Sequence, residues 1–181
     1  MPSLNFQEDY QLMAFDSFMW FEGGSPAIEG ETTDNTYSNN KAFEIYSFSW
    51  GASNPVTVGS GGTGMGAGKV SLSSFNVMKK TDNASPTLFK ACCDGTHYPK
   101  AHVALRKAGG KQTVYIQYDF EEVMIESIQW SGSSGGDDTP SESVSFAYAK
   151  VTVNYTPQKT DGTAGTLNAF AWDQRLNIAP K

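Results

Sequence analysis

The sequence predicts a mainly β protein, either a barrel or a two-sheet sandwich, with one short α-helix. Three observations support this fold class. Apolar and polar residues alternate along several segments, as they do in half-buried strands. Some of these segments change the parity of their apolar residues midway, as strands do when they bend from one sheet into another. Only the segment 85–95 carries helix-forming residues between a start signal and a stop signal.

The helix is predicted from its two ends. Ser85 is a typical N-cap residue, Pro86 suits the first helical position, and Gly95 suits the position just after a helix. The residues 88–93 between these signals are good or neutral helix formers. They predict a helix of about two to three turns within an otherwise β-rich chain.

One predicted strand, 43–50, separates two kinds of side chain. Alternation places its aromatic residues on one face and its small polar residues on the other: Tyr46, Phe48 and Trp50 against Ser47 and Ser49. Such a strand is half-buried and has a wet face of small polar side chains.

The other predicted strands cover 18–21, 70–78, 97–107, 113–130 and 143–155. In the strand 97–107 the inward and outward sets are Ala101, Val103 and Leu105 against Lys100, His102 and Arg106. Three of the strands (70–78, 113–130 and 143–155) are predicted to bend, the middle one at Glu121–Glu122. The alternative interpretation is that each of these three runs is two shorter strands.

Two loops stand out between the strands. The polar stretch 30–41 has little apolar content and is predicted to be a surface loop. The stretch 51–68 is long and rich in glycine, which is typical of a binding loop or a disordered one. Its Gly59, Gly61 and Gly64 fit the spacing of a dinucleotide-binding motif, but a strand follows where that motif requires a helix. We therefore interpret the stretch as a flexible arm.

No catalytic or cofactor-binding constellation emerges from the sequence. The two cysteines, Cys92 and Cys93, are adjacent, which argues against a disulfide framework and favours a reducing cytoplasm. His97 and His102 are the only histidines, too few for a convincing zinc site. No nucleophile-elbow motif is present, and no pair of acidic residues is singled out. We expect no enzyme activity, no metal and no cofactor.

Charge and hydropathy exclude other classes of partner. The formal net charge is −6, and no cluster of basic residues lies among aromatic ones, so nucleic acid is not expected as a partner. No apolar run is long enough for a transmembrane helix, so membrane insertion is not expected. The first residues lack the basic-then-apolar pattern of a signal peptide.

Several sequence motifs, in order along the chain, resemble one known family. They are FSWG at 48–51, GAGKV at 66–70, SPTLFKACCDGTHYPKA at 85–101, RKAGG at 106–110, VTVNYTPQKTDG at 151–162 and WDQRLN at 172–177. Together they resemble the haemolysin-coregulated protein (Hcp) family, the tail-tube protein of type VI secretion systems. The resemblance covers about residues 14–177. A phage-like tube protein would be a near relative of this family.

The resemblance implies an Hcp-like fold, a compact two-sheet β-barrel with one short α-helix on its flank. It also implies that copies form homohexameric rings, which stack into a tube. It implies that Ser47 and Ser49 face the lumen and that the loop after them reaches the neighbouring ring. The residues of that loop are Ala52, Ser53, Asn54, Pro55, Val56, Thr57, Val58 and Met65. Expected partners are effector proteins in the lumen, a spike protein of the VgrG type and a contractile sheath. Assembly is expected in the cytoplasm of a Gram-negative-type bacterium, followed by export through the machine without a signal peptide.

The chain departs from the family pattern in two places. The family-like start is Met13-Ala14-Phe15-Asp16-Ser17-Phe18, so residues 1–13 are either an N-terminal extension or an upstream start, and 14–181 form a single domain. Ala171 stands before Trp172 where glycine is expected, which puts the local turn in doubt. The alternative hypothesis is a monomeric secreted β-sandwich that binds carbohydrate or protein.

Overall fold

The computed structural model describes residues 15–58, 65–107, 112–134 and 139–180. Within them the strands are β1 (Phe15–Glu22), β2 (Phe43–Glu44), β3 (Ser47–Ser49), β4 (Ala52–Ser53), β5 (Val56–Val58), β6 (Met65–Ala67), β7 (Ser71–Leu72), β8 (Phe75–Lys80), β9 (His97–Lys107), β10 (Val114–Ser131), β11 (Ser141–Tyr155) and β12 (Asn168–Asp173). The helices are α1 (Ser85–Asp94) and a 3₁₀ turn at Ser38–Asn40. Residues 1–14 lie outside this description.

The main sheet is antiparallel and closes on itself. Its strand order is β2-β1-β9-β10-β11-β8-β3, with β12 also paired to β11. β2 and β3 lie at opposite ends of this order, yet only two residues separate them in the chain. The Ile45 N–H donates to Ser17 O (3.0 Å) and the Tyr46 N–H donates to Met78 O (3.0 Å), so adjacent residues bond to β1 and to β8. The segment 43–49 therefore joins the two ends of the sheet, and the predicted β-barrel is confirmed.

The long strands β10 and β11 bend, as predicted. Glu122 adopts a left-handed backbone conformation (φ 55°), and a bulge follows between Ile125 and Ser127. β11 pairs with β8 over 141–146 and with β12 over 150–155. Each of these two strands thus serves both halves of the barrel.

The bent-strand prediction for 70–78 is wrong, because two strands, β7 and β8, occupy that run. Ser73 interrupts them by bonding to Gly51, with its N–H donating to the Gly51 carbonyl (2.9 Å) and its hydroxyl accepting from the Gly51 N–H (3.0 Å). The chain leaves the barrel at this point. The strand 43–50 is likewise two strands, and Tyr46 is exposed rather than on the buried face, because it lies at the edge of the barrel.

The barrel is filled with aromatic side chains. Phe75 packs its ring against Phe146 (5.5 Å between centroids) and Phe120 (4.9 Å), and all three are fully buried. Phe48 and Trp50 from the predicted buried face also contact this cluster. The inward set of β9, Ala101, Val103 and Leu105, is buried as predicted.

The outward set of β9 is only partly exposed. Lys100 is exposed as predicted, but His102 and Arg106 are buried. The segment 30–42, of which 30–41 was predicted to be a surface loop, packs on this face of β9: Tyr37 is buried and stacks on Phe18 (4.4 Å between centroids). His102 and Arg106 therefore face outward from the barrel core as predicted, but this second apolar cluster buries them.

The helix is confirmed, with a correction at its start. Ala84 occupies the N-cap position, and Asp82 accepts the Ala84 N–H through Oδ1 (3.0 Å). Ser85, the predicted N-cap, instead turns its hydroxyl inward and donates to Glu142 (2.8 Å). Gly95 ends the helix in a left-handed conformation (φ 69°), as predicted. Ala171 lies within β12, opposite Thr152, so the local turn in doubt is an extended strand.

Candidate assembly surfaces

Ser47 and Ser49 belong to a larger polar face on the outside of the barrel. Strand pairing continues each serine into a row across β3, β8, β11 and β10. The two rows are Ser49–Asn76–Ser145–Ser127 and Ser47–Met78–Ser143–Gln129. Their side chains point away from the core, because the intervening residues of β8 and β11, such as Val77 and Val144, are buried. We call these eight residues the serine-rich face.

The serine-rich face is electrically neutral and its side chains are mostly short. It carries no ionisable group, and Ser127 and Ser145 satisfy each other through a 2.7 Å hydrogen bond between hydroxyls. A surface of this kind offers hydrogen bonds in many directions but neither a strong charge nor a large apolar patch. Sequence reasoning found two of the eight residues. The alternation of serine with apolar residues in 143–146 was the signal that could have found more.

Two open strand edges bound this face. β3 pairs with β8 on one side and is the last strand in the sheet order. At the other side, β10 pairs with β9 only as far as Met124, so within the described residues no strand pairs with that side of 127–131. Exposed strand edges carry free backbone donors and acceptors, which favour pairing with another chain.

The predicted arm leaves the barrel beside this face. β4 pairs with β7 and β5 pairs with β6, and neither pair joins the main sheet. The residues Ala52, Ser53, Asn54, Pro55 and Val56 are all exposed, while Thr57, Val58 and Met65 lie on the β5–β6 ribbon. The Gly68 N–H donates to Pro55 O (2.9 Å), which holds the ribbon together near its base. Gly59, Gly61 and Gly64 lie outside the described residues.

A buried ion cluster holds α1 to the back of the serine-rich face. Lys79 and Glu142 have no exposed side-chain surface, and Lys79 Nζ lies 2.7 Å from Glu142 Oε1 and 2.6 Å from Asp82 Oδ1. The Ser85 hydroxyl, at the first residue of α1, donates to the same Glu142 oxygen (2.8 Å). These bonds join β8, β11 and the helix start into one unit.

A second polar network lies on the outer face of β9 and β10. His102 Nδ1 is 2.6 Å from Asp119 Oδ1, and its ring stacks on Trp20 (4.9 Å between centroids). Burial acts to raise the pKa of Asp119, but hydrogen bonding with His102 and the bonds donated by Gln117 and Asn154 keep it below its ordinary value. Asp119 is therefore a carboxylate at neutral pH, and its oxygens accept the hydrogen bonds of this network.

The remaining titratable side chains were candidates for a metal site or for reactive chemistry. Among the described residues, no three His, Cys, Asp or Glu side chains gather as metal ligands would. Cys92 places its Sγ 3.5 Å from the Glu126 carbonyl, and Cys93 is exposed. Burial raises the pKa of Tyr148 to about 12, although the bond that Trp50 donates to its hydroxyl acts against this, so the phenol stays protonated.

Over the residues that the structure describes, no helix is long and apolar enough to cross a lipid bilayer.

Comparison with known proteins identifies the family to which this fold belongs. The family model described as type VI secretion system effector, Hcp, matches residues 18–155. Protein hcp1 of Pseudomonas aeruginosa PAO1 is 38% identical over 112 residues, which cover 61% of this chain and 68% of that protein. The chain therefore belongs to the Hcp family of type VI secretion system proteins, and the resemblance seen in the sequence is confirmed.

Solved structures agree with this assignment. One, described as a type six secretion system protein, is similar with a TM-score of 0.85 at 33% identity, covering 92% of this chain and 100% of that one. Hcp1 from Salmonella typhimurium is similar with a TM-score of 0.72 at 27% identity, covering 93% and 100%.

Proposed function

We propose that this protein is a structural, non-enzymatic subunit of the type VI secretion tail tube. Six copies join head to tail into a ring, and rings stack into a tube. The observation that carries the proposal is the pair of open edges, on β3 and on β10, that bound one four-stranded segment. Two different edges on opposite sides of one segment suit a head-to-tail contact, which closes into a ring when the rotation between copies allows it.

Strand direction supports this joining. β3, β8, β11 and β10 alternate in direction because each neighbouring pair is antiparallel. β10 of one copy therefore meets β3 of the next in the antiparallel sense that the whole sheet uses. Six such segments give about 24 strands at about 4.8 Å spacing, a wall of about 115 Å circumference and about 37 Å diameter before strand tilt widens it.

In this arrangement the serine-rich face, which includes Ser47 and Ser49, is the lumen wall. A neutral wall of mostly short polar side chains lets folded effector proteins enter without strong adhesion. A Ser49→Gln substitution places a longer side chain in each of the six positions around the channel. Effector binding that is unchanged in Ser49→Gln rings would contradict the lumen assignment.

The arm makes contacts between rings. Its β4–β7 and β5–β6 pairs stand apart from the main sheet, and Ala52–Val56 are exposed in the single copy. A β-ribbon of this kind can reach the next ring without altering the barrel. The tube is capped by a spike of the VgrG type, wrapped by a contractile sheath, assembled in the cytoplasm and exported by the machine without a signal peptide.

The experiment that tests the ring is the native mass of the purified protein, combined with negative-stain electron microscopy. We expect a particle of about six 19.6 kDa chains with a central hole. A monomer at high protein concentration would reject the ring and favour the alternative, a monomeric binding module. A ring of a different copy number would keep the tube but change its stoichiometry.

A further inference from the structure

Two exposed aromatic side chains lie at the two open edges of the serine-rich segment. Trp130, near the end of β10, is 45% exposed, and Tyr46, just before β3, is 50% exposed. Large aromatic residues at surface sites often anchor protein interfaces, because they bury much apolar area when a partner covers them. Neither residue belongs to the serine-rich face or to the arm.

Strand register places both residues in one row. Trp130 pairs with Glu142, and Glu142 pairs with Lys79. Tyr46 lies one residue before the Ser47–Met78 pair, opposite Lys79, and its hydroxyl approaches the Lys79 carbonyl (3.5 Å). The row therefore runs from Trp130 through the buried ion pair to Tyr46, and an exposed aromatic residue stands at each end.

The two ends differ in shape. At the β10 end, Trp130 packs against Phe89 of α1 with 5.4 Å between ring centroids, and both rings are partly exposed; we call this pair the aromatic knob. At the β3 end, two adjoining clefts share Tyr46, Ile45, Glu44 and Thr33 as lining residues. We call this the Tyr46 cleft. An exposed aromatic pair at one edge and a cleft at the other would meet if the two edges of neighbouring copies joined.

We infer that the aromatic knob of one copy inserts into the Tyr46 cleft of the next copy in the ring. This inference rests on the proposed ring and names its principal contact. A second copy is the occupant because joining β10 to β3 in register extends the row, so that Trp130 of one copy becomes the strand neighbour of Tyr46 in the next. The cross-strand distance between paired side chains in an antiparallel sheet is about 5 Å, within contact range for two aromatic rings.

The first test is disruption of each surface separately. Trp130→Asp and Tyr46→Asp each replace an aromatic ring of the contact by a carboxylate, and each is expected to weaken ring association at least about 30-fold, as loss of an interface anchor does. Trp130→Phe keeps an aromatic ring and is expected to retain the ring assembly. The matched control is Leu176→Asp, at an apolar residue that is 65% exposed and lies on neither edge. Circular dichroism checks that every variant keeps its strand content.

The second test maps the contact directly. A photoreactive benzophenone residue replaces Trp130, rings are assembled from equal amounts of unlabelled and ¹⁵N-labelled protein, and cross-linked peptides are identified by mass spectrometry. We expect mixed-isotope cross-links between the segment 127–131 and the segment 43–47.

The outcomes separate this inference from the proposed ring. A wild-type protein that stays monomeric overturns both. Wild-type rings that survive Trp130→Asp and Tyr46→Asp, or cross-links that join residue 130 to any other segment, overturn the knob-and-cleft contact while the ring stands.

Discussion

Lys79 and Glu142 form an ion pair with no exposed side-chain surface on either partner, and the distance from Lys79 Nζ to Glu142 Oε1 is 2.7 Å. The pair lies between the serine-rich face and the start of α1, where Asp82 and Ser85 bond to the same two groups. The ammonium also stands 5.1 Å from the centre of the Phe43 ring. Two buried charges need these ion-pair and hydrogen-bond partners, because an unpaired charge in the core is costly.

The first prediction concerns the loss of one partner. Glu142→Leu leaves Lys79 buried with Asp82 as its only carboxylate, and we expect the free energy of unfolding to fall by about 3 kcal/mol. The double variant Lys79→Met with Glu142→Leu removes both charges and is expected to recover much of that loss. Urea unfolding at one fixed protein concentration measures both. If the single and double variants were equally destabilised, the explanation by an unpaired buried charge would fail.

The second prediction concerns acid stability. Hydrogen bonds from Arg106, with distances of 2.6 Å and 3.2 Å, hold the pKa of Asp34 below its ordinary value of 3.8, although burial acts in the opposite sense. A lowered folded-state pKa stabilises the fold above the ordinary pKa and loses that contribution as the pH falls through the folded value. The wild-type protein should therefore lose stability below about pH 4, where Asp34→Asn should lose less. Thermal melts across this pH range measure the difference.

The control for Asp34 is a carboxylate in the same segment. Glu31 is exposed, and Glu31→Gln, which removes the same charge, should leave the unfolding midpoint at neutral pH close to that of the wild type. If the melting temperature of Asp34→Asn fell with decreasing pH just as that of the wild type does, the Asp34–Arg106 pair would not be the source of the acid sensitivity.

The third prediction concerns the closeness of that segment to the barrel. The Gly30 N–H donates to Lys41 O (2.8 Å), and a Cβ at residue 30 would lie 2.4 Å from the Ala42 carbonyl oxygen. Because that neighbour is backbone, Gly30→Ala should destabilise the fold by about 2 kcal/mol through overpacking. Gly51→Ala is the matched control, since a Cβ there meets no atom within 4 Å. Equal unfolding midpoints for the two variants would contradict the close approach.

The sequence predicted the main elements because their signals are local. The helix α1 carried its own stop residue in Gly95, and the alternation in β9 gave its inward residues directly. Alternation placed Arg106 on the outer face of β9, but its burial there could not be predicted, because Arg106 packs against Tyr37, which is more than sixty positions away in the chain. Strand alternation shows which residues share a face, but it does not show whether a distant loop covers that face.

The candidate site was predictable only in part for the same reason. Ser47 and Ser49 stood out within one strand, whereas their neighbours Asn76 and Ser145 join the serine-rich face through pairing between strands. The Lys79–Glu142 pair left no signal, since lysine and glutamate in a strand are usually solvent-exposed. Long-range register, rather than local composition, defines both features.

The fourth prediction concerns the arm. Ser53 of β4 pairs with Ser71 of β7 in antiparallel register, so a two-residue Asn-Gly turn can replace residues 54–70 without disturbing that pair. The shortened protein keeps the bonds between Gly51 and Ser73 at the base of the arm and should form rings with the wild-type mass. If the arm joins successive rings, these rings should fail to form long tubes under conditions in which the wild-type protein does.

Electron microscopy and sedimentation measure ring and tube formation in the same sample. Ser49→Gln is the control, because it changes the proposed lumen and leaves the arm intact, so its tubes should match the wild type in length. Tubes of normal length from the shortened protein would remove the arm from the contact between rings. Loss of the ring itself would instead assign the arm to the contact within a ring, beside the edge of β3.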